Sequence, residues 1–366
     1  MMKLIKTIGE FYWQMRRSRM LGMALFVMAI CHVAIQFAII APRELARTDQ
    51  SRDVLVYWLT AKNVQEHKPI YVKRPNFGPG DPPYSIYHQK PVYLYSPSFA
   101  AAIAPLGSLT FNDFSRLWFL LNFIAFWIFA YALAALSGEV SLRRVLICAL
   151  IAGVWPGVYY SIRYGQVTVI LCALFAAGLV SKRRRLLWGI ASLVKVFYIW
   201  PFIASWVDAA KNTHTKVLLR DSLPAIIVII ALICYGGIRC GWESYIIWVR
   251  DILPTLSQGT FQYNNISVSF GVLRLARIVG WNYPGGELSW LPHLWLTLAA
   301  IVAPLCTWWL MRKQPEKIKY AGIIVASAFF APICWPYYWA TLLPIGALLF
   351  RTTPTGLEEE TLLQHG

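Results

Sequence analysis

LLWGIASLVKVFYIWPFIASW, residues 186–206, lies between the cluster Lys182-Arg183-Arg184-Arg185 and the basic segment from Lys211 to Arg220. It is as apolar and as long as the ~20 residues that cross a bilayer as a helix. Cytoplasmic loops gather Lys and Arg, so a crossing here would strand one of the two clusters on the wrong side. The stretch is therefore expected to enter and leave by the same face, as a re-entrant pair of half-helices breaking at Pro201. Irregular backbone at that depth is tolerated only where it is buried in protein or lines a cavity. Lys195 sits inside the stretch. A cation at mid-membrane costs about 2.5–3.5 kcal/mol on insertion scales. It needs a counter-ion or an anionic ligand, the plainer alternative being a side chain that snorkels to the interface.

The rest of the chain supports a membrane setting. It has 366 residues, 34 Lys+Arg against 17 Asp+Glu, a net charge of +17 and 58% hydrophobic residues, with a mean hydropathy of +0.51. Only 14% of residues are charged, against about 25% in a soluble domain. An ordinary soluble enzyme, a disordered chain and a collagen-like chain are thereby excluded. Outer-membrane barrels alternate polar and apolar residues over ~10-residue strands; here the apolar residues come in long runs. The expected class is an all-α polytopic membrane protein.

The first apolar run, 20–41, follows Lys3, Lys6, Arg16, Arg17 and Arg19. It exceeds a signal-peptide core of ~7–15 residues, and so reads as a retained span with the N-terminus inside. Other runs cover 93–110, 113–136, 145–160, 165–181, 222–239, 291–311, 318–334 and 337–351. The basic clusters balance only if 93–110, with Pro97, Pro105 and Gly107, lies on the outer interface without crossing. The expectation is about eight full spans plus the hairpin, both termini inside. Residues 1–351 form one transmembrane domain and 352–366 a cytoplasmic tail. Two extracytoplasmic segments, 42–112 and 240–290, carry interfacial helices, one of them over 242–256. Loops of that length are usually functional.

Acidic residues are scarce. The outer ones are Glu44, Asp49, Asp53, Glu66, Asp81, Asp113, Glu243, Asp251 and Glu287, none in a metal-ligand pattern. Asp53 opens DVLVYWLTA, in which Asp53, Tyr57 and Ala61 share one helix face. It is also well placed as an ordinary helix-start residue. Arg163, Arg239, Arg250, Arg274 and Arg277 fall outside, against the orientation rule. Beside aromatics they suit an anion such as a lipid phosphate, or lipid headgroups in general. Cys31, Cys148, Cys172, Cys234, Cys240, Cys306 and Cys334 lack metal or redox spacing. His32 reads as a core residue, and the other histidines form no ligand pattern. No phosphate-binding loop or nucleophile elbow occurs. Neither metal, cofactor nor nucleic acid is expected.

One ordered set of motifs goes further. Asp53-x-x-x-Tyr57-Trp58-x-x-Ala61 is followed by Pro69-Ile70-Tyr71, Tyr93-Leu94-Tyr95-Ser96-Pro97 and Ala104-Pro105-Leu106. Then come Gly165-Gln166-Val167, the Lys195 hairpin, Asn265-Ile266-Ser267-Val268 before Arg274, and Trp335-Pro336-Tyr337-Tyr338. The set resembles the GT-C glycosyltransferases, most closely the mannosyltransferase-like glycosyltransferase family 87, from about 20 to 350. The resemblance implies a GT-C-like bundle in the bacterial inner membrane. It implies inverting transfer of a sugar, usually mannose, from a polyprenyl-phosphate donor to a hydroxyl of a glycolipid or glycan at the outer face. By that likeness Asp53 is the base, with Asp49, Asp81 and Asp113 as fallbacks. By the same likeness Gly165, Gln166 and Lys195 lie near the donor phosphate, and Lys195, Arg163 and Arg274 are candidates to hold its developing charge. Tyr57, Trp58, Tyr95, Asn265, Trp335, Tyr337 and Tyr338 line the substrate site, and Tyr337 and Tyr338 depart from a family that often has histidine there. Two other readings stay open: a flippase of a lipid-linked sugar, and a non-catalytic subunit that binds polyprenyl lipids.

Overall fold

A computed structural model describes residues 53–71, 93–212, 215–257, 266–278 and 290–349. The first expected span, 20–41, and the tail, 352–366, lie outside the described residues. Within them the chain is helical, with no strand. Among the described residues two helices are each long and apolar enough to cross a membrane: α3 (Phe111–Leu136) and the part Ser222–Cys240 of α9 (Thr215–Cys240). A third candidate is the pair α4 (Leu142–Val154) and α5 (Pro156–Tyr164), bent by 69°. Pro156 lacks the N–H that would continue α4 and starts α5 instead. Among the other expected crossings, α6 (Thr168–Val180), α14 (Glu316–Phe329) and α15 (Leu342–Leu349) are shorter, and α13 (Trp290–Leu310) carries a shorter apolar part, Leu294–Leu310.

Three of the expected segments take the following form. The 93–110 run forms α2 (Pro97–Ile103) and a 3-10 turn, Ala104–Leu106, too short to span. The 186–206 run forms two arms, α7 (Arg184–Val194) and α8 (Ile199–Asn212). Its break is not at Pro201, which sits in the first turn of α8, where proline is tolerated. The break is at Lys195, extended at φ −129, ψ 117, and at the 3-10 turn Val196–Tyr198. The 242–256 helix runs as α10 (Trp242–Ile247), a π-helical turn over Trp248–Ile252, and α11 (Leu253–Ser257). Trp242, Ile246 and Val249 face outward. Tyr245 turns in to Ser98, and the Trp248 indole donates to Leu94 O at 3.4 Å.

Close approaches explain how α1 (Asp53–Gln65), α2 and α9 meet. A Cβ at Gly107 would lie 2.5 Å from Ala61 O of α1, and one at Gly236 of α9 would lie 3.0 Å from Ser98 N of α2. α12 (Val268–Ile278) starts where the Ile266 N–H donates to Cys334 O at 2.7 Å. That bond ties the start of α12 to the loop after α14.

Where α7 begins and α8 ends lies a buried charge network. Lys319 Nζ of α14 sits 2.6 Å from Asp208 Oδ2 of α8. The Tyr320 hydroxyl donates to the same carboxylate at 2.8 Å, and the Trp308 indole donates to Oδ1 at 3.1 Å. Asp208 is 9% and Lys319 6% exposed. Nearby, Arg184 pairs with Glu316 and lies over the Tyr320 ring at 5.4 Å. Both arms of the hairpin are thus rooted on α14.

Candidate active site

The site gathers where α1 meets the start of α6 and the hairpin break. Asp53 stands in the first turn of α1, where a carboxylate favours the positive end of the helix. One turn on, Tyr57 and Ala61 are fully buried, so the face expected from the spacing is the inward one. The Tyr57 hydroxyl donates to the Tyr95 hydroxyl at 2.8 Å, and the Tyr95 hydroxyl donates to Gln166 Oε1 at 3.0 Å. The Tyr57 ring packs edge-on to Tyr95 and Phe99 and lies 4.9 Å from Trp118.

Gln166 reaches this point because Gly165 ends α5 in a left-handed turn, φ 64, open to glycine without a Cβ penalty. A Cβ there would also lie 2.9 Å from Val54 Cβ of α1. The Trp118 indole donates to Gly165 O at 2.7 Å and fixes the turn.

Lys195 is 7% exposed. Its ammonium donates to Thr168 Oγ1 at 3.0 Å and lies over the rings of Tyr338 at 4.4 Å, Tyr337 at 4.8 Å and Tyr95 at 5.9 Å. A cation above an aromatic face is attracted by its quadrupole. Tyr337 and Tyr338 come from a 3-10 turn, Pro336–Thr341, that packs on α5 through the bond from the Trp155 indole to Trp339 O. Tyr338 is packed edge-on to Phe197. Trp335 packs with Ala328, Cys334 and Tyr338 at the edge of this group. Ser96 caps α2 and donates to Leu193 O, docking the Tyr95 segment on the end of α7.

Asp53 and Lys195 feel each other's charge without closing into an ion pair, and Asp53 acts likewise on Tyr57, Tyr95, Tyr337 and Tyr338. Burial pushes the Asp53 carboxyl up to about 7, and Lys195 offsets part of that rise. Among the described residues no hydrogen bond holds the carboxylate. It is a carboxyl held near neutral pH, within electrostatic reach of the Lys195 ammonium and of four tyrosines. Groups of three or more His, Cys, Asp or Glu that could hold a metal are absent among the described residues.

Other expected residues fall elsewhere. Trp58 points to another side of α1, its indole donating to Leu109 O at 2.9 Å and its ring against Phe111. Arg163 lies half-buried beside the Tyr164 ring, at 6.0 Å. Asp113 is engaged at the start of α3, where Thr110 Oγ1 donates to it at 2.7 Å and its own N–H returns to Thr110. That is a capping interaction. Asn265, Asp49 and Asp81, and the Arg274 side chain, lie outside the described residues. Thr168 was not expected. Its signal is a lone hydroxyl two residues after Gln166, at the head of an apolar helix.

Comparison with known proteins matches the family model of glycosyltransferase family 87 to residues 93–336, about two thirds of the chain. Comparison with curated proteins and with solved structures finds no match. The matched region includes Tyr95, Gln166, Thr168, Lys195 and Trp335 and leaves Asp53 and Tyr57 to its N-terminal side. With apolar helices long enough to cross a bilayer and the family matched across the hairpin, the chain belongs to glycosyltransferase family 87 and is a membrane glycosyltransferase acting on a sugar donor and an acceptor.

Proposed function

We propose that this enzyme moves a hexose, mannose first among the candidates, from a polyprenyl-phosphate donor to a hydroxyl of a glycolipid or glycan at the extracytoplasmic face, with inversion. The carrying observation is that Asp53, a carboxyl raised to about 7, lies within electrostatic reach of Lys195, a buried ammonium that forms an ion pair with no described carboxylate. In the reaction the acceptor oxygen forms a bond to the anomeric carbon as the bond from that carbon to the phosphate oxygen breaks. The hydroxyl proton passes to Asp53 Oδ. A positioned base of this kind contributes roughly 10²–10⁴-fold. The leaving group carries away the electron pair as polyprenyl phosphate, so it needs fixed positive charge more than a strong acid. Lys195 supplies that charge, Thr168 and the tyrosine rings orient it, and Gln166 adds amide donors. Arg163 and Arg274 are further candidates for the phosphate, and Asn265, Trp335, Tyr337 and Tyr338 for the sugar. The bilayer supplies the apolar surroundings of the polyprenyl chain, with half-exposed Phe197 and Trp200 flanking the Lys195 break.

The experiment is transfer by purified protein in nanodiscs. Short-chain polyprenyl-phosphate mannose, glucose, arabinose and galactosamine are offered with a mixed acceptor pool, and products are read by mass spectrometry. Turnover of one donor, lost in Asp53→Asn, supports the reading. Full activity in Asp53→Asn refutes Asp53 as base. Movement of labelled donor between leaflets without a new glycosidic bond points to a flippase.

A further inference from the structure

Away from the site, the end of the molecule that holds the Asp208 network carries more positive charge than it uses. The start of α7, the end of α8 and the turn from α13 to α14 converge there through Arg184–Glu316 and Asp208–Lys319. These contacts engage Glu316 and Asp208, the acids described there. Lys182, Arg183, Lys211, Arg312, Lys313 and Lys317 remain exposed, with no ion pair to any described acid. The orientation rule explains why cations lie at this end. It does not explain their arrangement over aromatic rings at the head of an apolar stripe. The Arg312 guanidinium lies 4.3 Å from the Trp309 ring centre, and Lys211 Nζ lies 4.6 Å from that of Trp308. Trp309 and Leu310 are 57% and 70% exposed. Behind Trp309, at helical spacing, Leu298, Val302 and Leu305 face outward along α13.

We propose that this end of the protein seats an anionic phospholipid, its phosphate held by Lys211, Arg312 and Lys313 and its acyl chains lying along the α13 stripe. Cations at the interface attract anionic headgroups, and guanidinium matches phosphate geometry in particular. The apolar stripe leading away from the cations suits chains attached to that phosphate, which a free anion lacks. The seat is independent of the glycosyl-transfer chemistry.

The test uses the full chain in detergent micelles with equimolar phosphatidylglycerol and phosphatidylcholine of the same acyl chains, read by native mass spectrometry. The wild type is expected to retain phosphatidylglycerol preferentially. Each interfacial cation is worth about fivefold, so Lys211→Gln/Arg312→Gln/Lys313→Gln together lower the preference by at least about tenfold. The wild-type preference also falls as salt rises from about 0.05 M to about 0.5 M, a check that needs no variant. An unchanged ratio in the triple variant, or a preference indifferent to salt, overturns the proposal. Displacement of bound phosphatidylglycerol by an equal concentration of soluble glycerol 3-phosphate makes this a free-anion site and overturns the lipid assignment.

Discussion

Asp208→Asn tests the root of the hairpin. The substitution keeps the shape of the side chain and removes its charge. At present one carboxylate accepts from Lys319, Tyr320 and Trp308, at 2.6, 2.8 and 3.1 Å. An asparagine has one oxygen for three donors. Its amide N–H₂ must face either the Trp308 indole N–H or the Lys319 ammonium, neither of which can accept. Lys319, 6% exposed, is then a buried cation whose remaining relief is the Tyr320 ring at 5.2 Å. Removing one partner of a buried ion pair costs about 3–5 kcal/mol, and a cation–π contact returns at most about 2 of it. Lys319→Met leaves the carboxylate with two neutral donors and is also expected to destabilise. Asp208→Asn/Lys319→Met removes both charges and should cost clearly less than the two single losses added together, by about 2 kcal/mol or more. The assay is denaturant unfolding of purified protein in micelles, followed by tryptophan fluorescence for all four members of the cycle. If the double variant loses the sum of the single losses, the two residues are not energetically coupled and the hairpin is not anchored by this pair.

Further outcomes concern the site and its support. Asp53→Asn is expected to lower the transfer rate by about 10²–10⁴-fold while donor binding persists, measured by turnover and by donor retention. A base must be ionised, so wild-type kcat/KM rises with pH and levels off above about 7. The same raised carboxyl binds its proton more tightly folded than unfolded, so its contribution to stability falls between about pH 4 and pH 7. Asp53→Asn removes that slope in a stability–pH series. Thr168→Val takes from Lys195 the one hydrogen-bond acceptor it has among the described residues and should raise donor KM by about tenfold, whereas Thr168→Ser should preserve it. Gly178→Ala would set a Cβ 2.2 Å from the Trp188 indole nitrogen, whose N–H bonds Phe175 O. Such overpacking costs about 1–3 kcal/mol and is read in the same unfolding assay.

Local rules carried the sequence reading where the structure obeys local rules. The Asp53–Tyr57–Ala61 face follows from helical spacing alone, and the hairpin from basic residues at both its ends. Pro201 misled because a proline marks a break only in a helix interior. In the first turn of α8 its missing N–H costs nothing, and the interruption falls at Lys195, where Thr168 and three rings hold the ammonium. Trp58 follows Tyr57 directly, yet a step of one residue turns it to another side of the helix. The bond between Tyr95 and Gln166 joins residues 71 apart, and Tyr57 and Gln166 are 109 apart. Neither periodicity nor capping chemistry reports on such distances. Asp113 shows the reverse: Thr110 three residues before it already marks a cap.

The position of Lys195 is also a matter of length. α7 has 11 residues from Arg184 to the break, about 16 Å of helix. That is about half the ~30 Å hydrocarbon thickness of a bilayer. The arm works as a ruler: its basic foot is fixed on α14, and its residue count sets how far the charge stands from that foot. One alanine inserted in α7 would advance Lys195 by about 1.5 Å and swing it by about 100°. The ammonium would leave the Thr168 hydroxyl and the tyrosine rings together, though no residue touching the sugar had been altered. Depth and direction of the charge are thus written in the length of a helix that takes no part in the chemistry.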